Sequence, residues 1–139
     1  MKKFQLIGLF GLLVLLFGAV QSAHALPKFK AAFEKRYTEE NDNEEFKAAV
    51  KKEACNVCHV KGEKKDVRNS YGEALSKLIE GEAQQRLKDA SDKMAEEEKI
   101  LKELEEAFGK VESEKVDEKN PSSPTFGDLL KQGQLPGGE

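Results

Sequence analysis

Tryptophan is absent from this chain of 139 residues, aromatic side chains make up 7 %, and cysteine, histidine and methionine occur only twice each. With 35 % charged residues, the chain can bury little apolar surface by its own means. That shortage implies an added stabiliser, because anything bound only by the folded state adds to its stability. Alternating runs of β-branched and polar residues are nearly absent, which argues against a strand-built fold. No internal repeat is visible. A basic excess is missing as well: the formal net charge is −3, a balance that repels nucleic acid and anionic lipid.

One long apolar run does occur, from Leu6 to Val20, behind Lys2 and Lys3. It is short for a bilayer span, which needs about 20 residues. Ala23-His24-Ala25 follows, with small residues at the positions a signal peptidase reads. Residues 1–25 are therefore expected to be a cleaved signal peptide, the alternative being an uncleaved anchor. A lipoprotein anchor would need a cysteine just after the cut, and none stands there. The expectation is a periplasmic or otherwise exported protein with no stable membrane insertion after cleavage. Cleavage removes two lysines and no acid. The remaining chain is more acidic and suits a partner with a basic docking face.

What remains reads as helical throughout. Pro27 can open a helix, with Phe29, Phe33 and Tyr37 on one face. Asn41-Asp42-Asn43 breaks it. A second helix carries Phe46, Ala49, Val50, Ala54 and Val57 directly into Cys55. Val60 to Asp66 reads as a lysine-rich loop, and a third helix is predicted over Val67–Glu80. A long helix is predicted from Ala83 to Phe108, with a heptad-like stripe of Leu87, Ala90, Met94, Leu101, Leu104 and Phe108. Its charged positions, Glu96 to Lys99 and Lys102 to Glu106, suggest a solvated face, the alternative being a docking helix. The expected organisation is a helical domain over 26–110, a linker over 111–124 and a short C-terminal helix and tail over 125–139. The fold class is all-α, with four or five helices.

Chemistry concentrates in Cys55-Asn56-Val57-Cys58-His59, the pattern of covalent c-type haem attachment. Two thiols add across the two vinyl groups of haem, and the adjacent histidine supplies one axial nitrogen to the iron. Three other readings stand beside it. A dithiol redox motif needs a βαβ context, which is not predicted here. For zinc, these three are the only cysteines and histidine left once His24 is removed, and neighbouring Cys58 and His59 fit poorly round one tetrahedral ion. A structural disulfide would close a small loop of little entropic value.

On that motif and its flanking helices the chain resembles a monohaem cytochrome c, over about half of the part that follows residue 25. The resemblance implies one covalent haem c attached through Cys55 and Cys58, with His59 as proximal ligand. It implies a one-electron carrier working with redox partner proteins, not an enzyme. The arrangement departs from the commonest members. Residues 26–54 precede the motif, residues 60–139 follow it, and no loop methionine lies near the C-terminus.

Met94 is the only methionine after residue 25 and is the candidate sixth ligand, with core filling as the alternative. Tyr71 and Arg68 are candidates for contacts at the haem edge, where Lys61, Lys64 and Lys65 can also neutralise propionates. The functional alternatives are a haem protein with an open axial site for a small gas and a non-haem helical interaction protein with a Cys55–Cys58 disulfide.

Overall fold

Six α-helices follow one another in the computed structural model, which describes residues 27–138. The fold is all-α: among the described residues there is no strand, only two isolated β-bridges, His59 with Arg68 and Lys115 with Thr125. The expected signal segment, with His24 and Met1, lies outside the described residues. No helix among those described is long and apolar enough to cross a membrane.

Local chemistry sets most helix boundaries. Pro27 starts α1 (Pro27–Thr38), where its missing N–H is no loss. Asn43 caps α2 (Glu44–Glu53) by accepting from the Phe46 N–H at 3.0 Å. Glu44 and Glu45 lie in the first turn of that helix and Lys51 and Lys52 in its last, matching the helix dipole. Asn69 caps α3 (Ser70–Leu78). Asp92 caps α5 (Lys93–Val111) by accepting from the N–H groups of Met94 and Ala95, each at 3.1 Å. Thr125 and Asp128 form a reciprocal capping box on α6 (Phe126–Lys131).

Two predicted helices differ. The third begins three residues later than Val67, because Arg68 pairs with His59 and Asn69 must stay extended to cap. The predicted helix over Ala83–Phe108 is two helices, α4 (Ala83–Asp89) and α5, separated at Ala90–Asp92. Asp92 is the cause: its carboxylate satisfies the first N–H groups of a new helix and its backbone is extended. Arg86 then ties the pair together, bonding Glu96 at 2.7 Å and Glu103 at 2.6 Å while also donating to the Glu80 carbonyl.

The core forms where α5 packs against α1 and α3. Ile100, Leu104, Ala107, Phe108 and Val111 form the buried stripe of α5. Rings supply much of the remainder: Phe33 packs edge-on against Tyr71 and Phe108 with centroids 6.0 Å apart, and Tyr71 against Phe126 at 5.3 Å. The segment read as a linker is a bonded loop. Val116 donates to Pro124, and Phe126 and Gly127 donate to the carbonyls of Glu114 and Glu112. Phe126 and Leu130 thereby enter the same core.

Candidate functional site

The second helix does not run smoothly into the cysteines. It ends at Ala54, whose φ of 50° and ψ of −108° lie in a region that a side chain makes costly. A 3-10 turn, Ala54–Val57, follows. The N–H groups of Cys58 and His59 both donate to the Cys55 carbonyl, at 3.2 and 3.1 Å. The motif is thus a closed turn set at an angle to α2.

A second set of bonds fixes that turn to α3. The loop after His59 returns antiparallel: Val60 N–H donates to Val67, and Asn69 N–H to Cys58, both at 3.1 Å. The Asn69 carboxamide donates to the carbonyls of Asn56 (3.1 Å) and Val57 (3.0 Å), both inside the motif, and its oxygen accepts from the Gly72 N–H at 2.9 Å. Gly72 permits this approach, since a β-carbon there would collide with the Cys58 carbonyl oxygen. On the far side the tail closes over Asn69 at Gly137, where a β-carbon would also collide. The fixed Asn–Gly spacing at the start of a helix was the available signal for Asn69 and Gly72, which sequence reading left without a structural role.

Cys55, Cys58 and His59 open into one cleft of about 180 Å³. Its walls are apolar, built from Phe29 and Phe33 of α1, Val50 of α2, Leu75 and Ile79 at α3, and Leu104 and Phe108 of α5. Lys30, Lys65, Arg68, Glu82 and Gln84 also line it. Both cysteines are unlinked and partly buried. Burial, then the neighbouring Cys55, push the Cys58 thiol up to about 12, so it is held as a neutral thiol.

His59 is half-buried. Burial holds its imidazole below the ordinary range, Lys65 and Arg68 act in the same direction, and the Val67 backbone opposes them. The ring is therefore neutral near pH 7 and keeps a lone pair. Its Nδ1 is buried and makes no well-formed hydrogen bond, with the Val67 backbone the group that acts on the ring from the chain itself. Among the described residues no three His, Cys, Asp or Glu side chains converge as a metal site.

The other expected residues fall in different places. Arg68 lines the cleft and pairs with Glu82 at 3.1 Å. Lys65 lines it too, donating to the Asn56 side chain, whereas Lys61 turns to Glu53 at 2.9 Å. Tyr71 is 0 % exposed, but within the core and off the cleft lining. Burial raises its ionisation far above the ordinary range, and its hydroxyl makes no well-formed hydrogen bond. Met94 is 83 % exposed at the start of α5 and does not reach the cleft. Its predicted place on an apolar stripe fails because the stripe assumed one unbroken helix.

No family profile matches the chain, and neither a curated protein nor a solved structure is significantly similar to it.

Proposed function

We propose that this chain is an exported c-type haem protein that passes single electrons to and from partner proteins. The observation that carries the reading is that both motif cysteines and His59 line one largely apolar cleft. Cys55 and Cys58 would hold the haem by thioethers. Each sulfur bonds a vinyl carbon and the thiol hydrogen goes to the neighbouring carbon, with nothing released. His59 would give the iron one ring nitrogen.

When bound, haem supplies a one-electron iron couple. The chain's own part is to place and enclose it. The Asn69 bonds and the Gly72 contact keep the motif turn rigid against α3. The phenylalanine and leucine walls would pack against the porphyrin's apolar faces. Arg68 and Lys65, at the cleft, are placed to neutralise propionates. Export rests on residues 1–25, the proposed signal, and would deliver the chain to a compartment where covalently held haem is not lost.

The test is to express the full chain in a host that matures c-type haem. The protein should keep its haem after denaturation and weigh one haem more than its polypeptide. Replacement of both cysteines by serine should abolish the attached haem. A native mass matching a plain Cys55–Cys58 disulfide would overturn the proposal in favour of a non-haem helical protein.

A further inference from the structure

We propose that the cleft gives the haem iron a single protein ligand, His59, and leaves the opposite axial position to a small neutral diatomic molecule. This rests on the haem reading above and adds a binding activity to it.

The inference comes from the state of the described side chains that could compete for that position. Apart from the motif, no described residue lining the cleft is a histidine, methionine or cysteine. The two amines there are engaged elsewhere: Lys30 with Glu34 at 3.0 Å, and Lys65 with the Asn56 side chain at 3.1 Å. Ser76 donates to the Glu73 carbonyl at 2.9 Å, and Glu82 accepts from Arg68 at 3.1 Å. Gln84 offers only a neutral carboxamide, a weak iron ligand that can instead donate a hydrogen bond to a bound molecule.

The thioether of Met94 is 83 % exposed, and its N–H is held by Asp92 at the cap of α5. Bringing it to the cleft would require unwinding the first turn of that helix. The lining is mostly apolar and its charged groups are already paired, Lys30 with Glu34 and Arg68 with Glu82, which suits a small uncharged ligand. Carbon monoxide and nitric oxide are neutral and small enough to enter beside a porphyrin.

The probe is carbon monoxide on the dithionite-reduced, purified holoprotein, read by absorption. We expect high-spin ferric and ferrous spectra and uptake of one carbon monoxide per haem with a sharpened Soret band. Lys30→Ala and Met94→Ala should leave the ferric spectrum as it is. A low-spin ferric spectrum with no carbon monoxide binding would overturn the inference. Conversion of that spectrum to high-spin by Lys30→Ala, Met94→Ala or His24→Ala would identify the internal ligand that displaces it. Both results leave the attached haem intact. A polypeptide that loses all haem on denaturation defeats the proposed function itself, so the two failures are distinguishable.

Discussion

Two helices in this molecule stop where apolar spacing says they should continue, and they stop in different ways. Between α4 and α5 the chain turns at Ala90–Asp92, and everything there is relaxed: Asp92 is extended, bonds two N–H groups and starts the next helix. Between α2 and the motif the chain turns at Ala54, with φ at 50° and no glycine to ease it. The first break is specified by its own residues. The second is held from outside, by Asn69, by the close approach of Gly72 and by the Cys55 carbonyl bonds. Strain that persists only because its surroundings impose it concentrates at functional sites, and here it sits one residue before the first cysteine.

If the motif turn is held from outside, its supports should matter more than any residue at the relaxed break. Gly72→Ala should have the largest effect. Its β-carbon must displace the Cys58 carbonyl or the whole of α3, at about 3 kcal/mol. Urea unfolding measures the loss, and the fraction of polypeptide carrying haem should fall with it. An unchanged midpoint would mean that α3 moves away freely and the support is illusory.

Asn69→Ala should come next, at about 2 kcal/mol. It removes a helix cap and leaves the Asn56 and Val57 carbonyls without their donor. Asn69→Asp sharpens the point, because it keeps the acceptor for Gly72 but sets a carboxylate oxygen against the Asn56 and Val57 carbonyls. It should destabilise at least as much as the alanine variant.

The two breaks themselves should answer substitution with opposite signs. Asp92→Ala loses a cap and should destabilise by about 1 kcal/mol. Ala54→Gly relieves the positive φ and should stabilise by about 1 kcal/mol, after allowance for the added freedom of the unfolded chain. Thermal unfolding of the pair, in the same buffer, gives the comparison directly. Destabilisation by both would show that Ala54 is not strained in the way its dihedral angles indicate.

The same contrast explains what was legible in the sequence. The all-α class, the opening of α1 at Pro27, the caps at Asn43 and Thr125 and the loop after His59 all rest on neighbours within a few residues. The triplet Cys55, Cys58 and His59 was legible because its spacing is local as well, and the structure brings the three to one cleft with Arg68. The break at Asp92 also had a local signal, an acidic residue ahead of a helix, but the heptad-like stripe outweighed it. What the sequence could not carry was long-range. The role of Gly72 depends on the Cys58 carbonyl, the tail's closure at Gly137 depends on Asn69, and Tyr71 is drawn into the core by Phe33 and Phe126. The bonded loop over 112–125 is of the same kind, since Pro- and Ser-rich composition says nothing of partners on α5 and α6.

The smallest expected effect belongs to Met94, and it bears most directly on the relaxed break. Had the helix over 83–108 been continuous, Met94 would have packed on its apolar stripe, and truncation would remove about 2–5 kcal/mol of buried contact. With the break at Asp92 the side chain is 83 % exposed, and Met94→Ala should shift stability by less than about 0.5 kcal/mol in either direction. Alanine is also the better helix former in a first turn, which offsets any small loss of contact. The measurement is a urea midpoint for the variant beside that of Asp92→Ala. A loss of 2 kcal/mol or more would place Met94 against a partner and restore the continuous helix. A null effect together with a measurable loss for Asp92→Ala would mean that the cap, and not the methionine, organises the start of α5.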